Sequence, residues 1–366
     1  MIKLRETDKI LVLTTLLLVV TGIIMVYSSS YIMAMKKYGD EYLFVKKHLT
    51  FTVVGLLSFV AAMLVPYKVY RKLVYPILLI SIILLSLVFV GGIGVEVSGA
   101  RRWINLGFIN FQPSEVAKLA VVIFLAYSLE AKEKSIKTFF PGLLPHIIIP
   151  LIPVVLIFME PDFGTAMVLI AVTFIMSYVA GVRLTYLVSL IVLAMPFMYF
   201  VITNAEYRMK RMLVFLDPWK DPHGAGFQMV QSFLAFGSGG MFGVGLGEGR
   251  QKLFFLPEAH TDFILSIIGE ELGFIGIGAL IVLFILFLMC GIKAALNATD
   301  LFGTYLALGL TSIVILQAVI NMGVVVGLLP PKGFPLPFIS YGGTSLVVNM
   351  TIAGILLNIY KKGCEA

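Results

Sequence analysis

The sequence predicts an all-α integral membrane protein: ten transmembrane helices, with a large extracytoplasmic loop between the seventh and eighth. Three observations predict it. The 366 residues are 60% hydrophobic and only 13% charged, about half the charge of a soluble domain. Ten apolar runs approach the roughly 20 residues that cross a bilayer. Lipid offers backbone amides no partner, so each run must satisfy its own groups as a helix.

The first run, 10–27, exceeds the apolar core of a typical signal peptide and is read as retained. Runs at 49–65 and 73–90 follow, then a short fourth run at 116–129 that holds Lys118, with Glu115 three residues earlier on the same helix face. The fifth to seventh runs lie at 143–158, 163–180 and 184–202, the fifth interrupted by prolines. After the 203–261 loop come 263–290, 301–329 and 344–359. No internal repeat or low-complexity tract divides the chain, so 1–366 reads as one membrane domain.

An even number of spans puts both termini on one side. With the amino terminus in the cytoplasm, inner and outer segments each hold 13 Lys and Arg. Six of the outer ones fall in the 203–261 loop, and long loops are translocated with little regard to charge. Leaving that loop out gives 13 against 7, which favours cytoplasmic termini. The connections at 91–115, 203–261 and 328–343 then share the outer face, where function is expected to collect.

The net charge of +7, from 27 Lys and Arg against 20 Asp and Glu, suits anionic lipid headgroups or an anionic substrate. No basic stripe or finger spacing indicates nucleic acid. The two cysteines form no disulfide framework, and the four histidines are scattered, so metal and covalent chemistries are poorly supported. GSGGMFGVGLGEG, 237–249, lacks the Lys-Ser or Lys-Thr of a phosphate loop; its glycines let the chain turn tightly and pack at the membrane surface. FQMVQSFLAF, 227–236, reads as a short interfacial helix.

The densest chemistry lies in FLPEAHTDFILSIIGEELG, 255–273. Asp262 precedes a helix and fits a helix cap or a proton acceptor equally well. Glu258 and His260 alternate with it, and Arg208, Lys210, Arg211, Arg250 and Lys252 share its loop. A carboxylate and cations around one outer cleft suit a reaction in which a base takes a proton while cations hold an anionic leaving group. Glu270 and Glu271 lie about two turns into an apolar helix, where ionisable groups cost a few kcal/mol and need partners. Lys118 and Glu115 are the expected ones, in supporting roles. PPKGFPLPFISYGGTS, 330–345, is a stiff non-helical stretch, tolerated at membrane depth when buried or lining a cavity, with Lys332 and Ser340 aimed at substrate.

RRWINLGFINFQPSEVAKL (101–119), EPDFGTAM (160–167), YRMKRMLVFLDPWKDPHGAGFQMVQSFLAFGSGG (207–240), QKLFFLPEAHTDFILSIIGEELG (251–273) and LPFISYGGTS (336–345) occur in order along the chain. Together they resemble the SEDS family of bacterial shape, elongation, division and sporulation proteins, over nearly all ten runs. DPWKDPHGAGFQ, the LPEAHTDF form and Lys332-Gly333 are more similar to the division branch than to the elongation branch. One departure is Glu160, where many relatives have glutamine. The resemblance implies the ten-span SEDS fold in the bacterial cytoplasmic (inner) membrane and a peptidoglycan glycosyltransferase. Such an enzyme polymerises lipid II on the outer face for septal wall synthesis, inverting the anomeric centre and releasing undecaprenyl diphosphate. It places the essential acid at Asp262 and implies a class B penicillin-binding transpeptidase and other division proteins as partners. It also implies a divalent cation, Mg or Mn, for which the sequence shows no dedicated site. Arg208, Arg211, Lys252, Glu258, His260, Lys332 and Ser340 are the expected substrate-binding set. A lipid II flippase and a non-catalytic division scaffold are the competing readings.

Overall fold

The computed structural model describes residues 6–97, 100–105, 107, 110–204, 206–224, 226–253, 256–257 and 259–365; side chains at 6, 97, 197, 198, 201, 202, 206–208, 364 and 365 lie outside that description. The chain is mostly helical: α1 (Glu6–Tyr38), α2 (Leu43–Leu64), a short α3 (Lys68–Lys72), α4 (Val74–Leu87), α5 (Pro113–Ala131), α6 (Leu144–Met159), α7 (Phe163–Val179), α8 (Leu184–Thr203), α9 (Glu206–Leu216), α10 (Phe227–Gly239), α11 (Ile264–Leu296), α12 (Leu301–Val325) and α13 (Gly343–Glu365). Every apolar run falls on a helix. Among the described residues, six helices are long and apolar enough to cross a membrane: Thr7–Tyr38, Leu43–Leu64, Phe139–Met159, Ile264–Leu296, Leu301–Val325 and Gly343–Gly363.

α1 outruns its apolar stretch by about three turns, because the polar residues that follow stay inside the helix. Ser29 and Ser30 donate to the carbonyls of Met25 and Val26, four residues back, at 2.7 Å each, and so need no water. α5 carries charge yet is buried almost throughout, from Pro113 to Leu129, with α4, α7 and α12 packed around it. It is the axle of the bundle, so its ionisable groups face protein and not lipid.

The 91–115 connection contains a three-stranded antiparallel sheet: β1 (Gly94–Val97), β2 (Ala100–Asn105) and β3 (Asn110–Phe111). In β2, Ala100 and Ile104 are buried and Arg101 is exposed, so a short alternating pattern holds it against the bundle end.

α11 is not continuous. Gly273 has φ +65° and ψ −164°, a conformation few residues but glycine adopt, and the helix breaks there. The backbone groups freed by the break are met by the 240–245 segment. Val244 and Gly245 donate to the carbonyls of Glu270 and Glu271 at 2.9 and 3.1 Å, while Phe274 and Ile275 donate to those of Gly240 and Met241 at 2.9 and 3.2 Å. The glycine-rich loop is therefore an inset in the broken helix. α10 packs closely on the same half of α11: a Cβ on Gly239 would come within 2.0 Å of the Gly269 carbonyl.

The two ends of the bundle differ. At one, Tyr67 bonds Thr299 at 2.7 Å, Asn358 bridges Met63 and Tyr67, Lys68 pairs with Asp300 at 3.7 Å and Arg71 with Glu130 at 3.3 Å. The other gathers the sheet, the 160–162 turn, α9, α10 and the 326–342 segment.

Candidate active site

The turn between α6 and α7 organises the first part of the site. Asp162 caps α7, accepting from the Thr165 amide at 3.2 Å and the Thr165 hydroxyl at 2.8 Å. Arg102, on β2, donates Nε to the Glu160 carbonyl at 3.1 Å and Nη2 to the Pro161 carbonyl at 2.7 Å. The Glu160 side chain is 1% exposed, and neither carboxyl oxygen has a hydrogen-bond partner among the described residues. Burial, reinforced by the Asp162 carboxylate and opposed by Arg102, pushes this carboxyl up to about 9.

Lys332 comes to the same turn from the proline-rich segment, its ammonium 4.0 Å from the Phe163 ring centroid. Burial pulls its pKa down to about 8; the Asp162 carboxylate opposes that, and the Arg211 and Arg102 cations add to it. Three cations from β2, α9 and the 326–342 segment thus act on one another at a turn whose carboxylates are Asp162 and Glu160.

Asp262 lies against this group through the residue beside Lys332. A Cβ on Gly333 would stand 2.7 Å from Asp262 Oδ2, so the glycine makes room for the carboxylate. The backbone around it is pinned from several sides. Asn321 donates to the Asp262 carbonyl at 2.8 Å and also to that of Phe334. Ser340 donates to the Thr261 carbonyl at 2.6 Å and accepts from the Leu336 amide at 2.8 Å, and Tyr341 donates to the His260 carbonyl at 3.0 Å. The cap position of α11 falls on Phe263, the next residue.

Residues 8–364 match the family described as cell cycle protein, FtsW/RodA/SpoVE. The chain belongs to this family. It is 45% identical to the probable peptidoglycan glycosyltransferase FtsW of Geobacter metallireducens, over 98% of this chain and 95% of that one. It is 42% identical to stage V sporulation protein E of Bacillus subtilis, over 98% of each. Among solved structures it resembles a chain from a peptidoglycan synthase complex that coordinates polymerization and crosslinking (TM-score 0.80, 30% identity, 97% of this chain and 98% of that one). It also resembles RodA of Thermus thermophilus (TM-score 0.70, 27% identity, 96% of each).

Against this SEDS frame the expected site residues divide. Asp262, Lys332 and Arg211 meet at one end of the bundle. The Arg208 side chain and Glu258 lie outside the described residues. His260 sits among tilted rings, its centroid 4.7 Å from that of Phe44 and 5.7 Å from that of Tyr341. Ser340 spends its hydroxyl on backbone and acts as a staple behind Asp262. Lys252, expected at the leaving group, is 4% exposed; it binds Glu271 at 2.7 Å and the Gly247 carbonyl at 2.6 Å.

That corrects the pairing expected for the two intramembrane glutamates. Glu271 is held by Lys252 and by Ser28 of α1, at 2.8 and 2.6 Å, and Glu270 accepts from the Arg250 and Gln251 amides, the first at 2.7 Å. Lys118 and Glu115 pair with each other at 2.9 Å inside α5. The glutamates clamp the glycine-rich inset to α11, whereas α5 keeps its own ion pair. Tertiary pairing of this kind has no signature in residue spacing. Arg102 and Asp162 went unassigned for the same reason: both sat in recognised motifs, but only the fold brings the strand to the turn.

The divalent cation implied by the resemblance finds no resident site here. Among the described residues no three His, Cys, Asp or Glu side chains are grouped to hold a metal. Asp162 spends its carboxylate on capping, and Arg102, Arg211 and Lys332 would repel a dication. The residues do not fit a protein-held metal.

Proposed function

We propose that this chain is the lipid II polymerase of a septal wall-synthesis complex: a peptidoglycan glycosyltransferase whose base is Asp262. The 4-hydroxyl of one lipid-linked disaccharide attacks the anomeric carbon of another. The glycosidic bond forms as the bond to the undecaprenyl diphosphate breaks, and the hydroxyl proton passes to Asp262. Attack from the face opposite the leaving group inverts the anomeric centre. Lys332, Arg211 and Arg102 face the developing diphosphate charge and stabilise it.

One observation carries the reading: the Asp262 carboxylate packs on Gly333, next to the Lys332 that shares a turn with Arg102 and Asp162. A base and an anion site stand side by side, as glycosyl transfer from a diphosphate requires. In this reading ten helices span the inner membrane, both termini are cytoplasmic, and the 203–261 loop and the site are on the outer face. A class B penicillin-binding transpeptidase and other division proteins are its partners, and any divalent ion arrives on the diphosphate.

The test is glycan polymerisation from labelled lipid II by purified protein, alone and with a cognate transpeptidase. Wild type is expected to make chains and Asp262→Asn to make none while remaining folded. Lipid II movement across vesicles without chains, unchanged by the substitution, would instead support the flippase; function in division without either activity would support a scaffold.

A further inference from the structure

Glu160 is the one group at the site to which neither the fold nor the proposed reaction has yet given a role. Its carboxyl is buried and without a hydrogen-bond partner among the described residues, although a guanidinium is at hand. Arg102 reaches Glu160 and binds its carbonyl oxygen and that of Pro161, not its carboxylate. A buried carboxylate would be expected to capture the nearest cation, because an unpaired charge in a dry site is costly. A carboxylic acid has no such demand. The groups that act here are Asp162 on the same turn, Arg102 on β2, Lys332 on the 326–342 segment and, through Lys332, Arg211 on α9.

We infer that Glu160 is a neutral carboxylic acid and a positioning residue of the anion site: by holding its proton it leaves Arg102 and Lys332 uncommitted, and by losing it weakens the site for a diphosphate. The inference rests on the anion-site part of the reading above, not on polymerisation itself. Ionisation would put a negative charge beside two cations that a diphosphate needs, and the proton would go to solvent. The rise of Glu160 to about 9 and the lowered Lys332 make the alkaline side the sensitive one.

The test uses the full-length protein in detergent, with inorganic pyrophosphate as the probe. Infrared difference spectra between wild type and Glu160→Gln, and between wild type and Glu160→Met, are expected to show a protonated-carboxyl C=O band at pH 7. That band should vanish as pH rises past about 9. Pyrophosphate affinity by calorimetry is expected to fall with rising pH in both wild type and Glu160→Gln, since Lys332 and the ligand titrate in each. The fall should be larger in wild type by about tenfold, as expected for one added charge at short range. A carboxylate band at pH 7, parallel affinity curves, or no pyrophosphate binding by either protein would each overturn the inference. Because none of these readouts needs turnover, a protein that fails to polymerise lipid II but shows the band and the excess slope would sink the enzyme reading and leave this one standing.

Discussion

Two groups of buried charge in this protein are built in opposite ways. Around Glu271, every charge is met: Lys252 and Ser28 bond the carboxylate, the Gly247 carbonyl takes another ammonium proton, and Lys252 stands 5.0 Å from the Tyr31 ring. Around Glu160, charges are left short. Among the described residues its carboxyl has no hydrogen-bond partner, Arg102 donates to backbone, and Lys332 rests on the Phe163 ring without an ion pair. A saturated cluster has nothing left to offer a ligand and holds structure. A cluster with unspent cations is built for an anion that arrives later.

The largest test of this contrast is at the centre of the second group. Asp262→Asn should lower polymerisation by at least roughly a hundredfold, the lower end of what positioned proton transfer contributes, with unfolding in detergent unchanged. Equal loss of fold and activity would place Asp262 with the structural charges.

The converse substitution attacks the saturated cluster. Glu271→Ala leaves Lys252 buried and unpaired and should destabilise by about 3–5 kcal/mol, whereas Lys252→Met with Glu271→Leu should recover most of it. Thermal unfolding of the two variants measures the difference; a mild Glu271→Ala would erase the distinction between the groups.

Smaller effects sharpen it. Gly273→Ala places a Cβ about 2.4 Å from the Gly243 amide nitrogen in a left-handed conformation and should cost about 1–3 kcal/mol, read as loss of protease resistance in the 240–253 inset. Lys332→Ala removes one unspent cation and should weaken pyrophosphate binding by about tenfold without lowering the melting temperature.

A further shift concerns pH and stability. The folded Glu160 holds its proton up to about 9, while the unfolded chain releases it near the ordinary carboxyl value of 4.5. The folded state binds the extra proton between those values, so this group lowers stability progressively as pH rises through that window. Glu160→Gln should therefore melt higher than wild type at pH 7, with the gain shrinking as pH falls toward 4.5.

The helices were legible in the sequence because long apolar runs in lipid admit few alternatives. Asp262 and Lys332 were legible as chemistry out of place in such a chain. The strand at 100–105 was not, since six residues of alternation carry little signal beside helices of twenty. Nor were the partners of Lys252 and the two glutamates, because pairing at a separation of 19 to 243 residues is decided by packing.

The reach of that last contact bears on how the protein is made. Ser28 leaves the ribosome 243 residues before Glu271, its partner. α1 therefore enters the membrane long before the helix that will cover its polar stretch, and the inset that binds both comes almost as late. The contacts between α1, the inset and α11 should therefore form late in synthesis, and a nascent chain stopped before residue 271 has a first helix with its mate still to come.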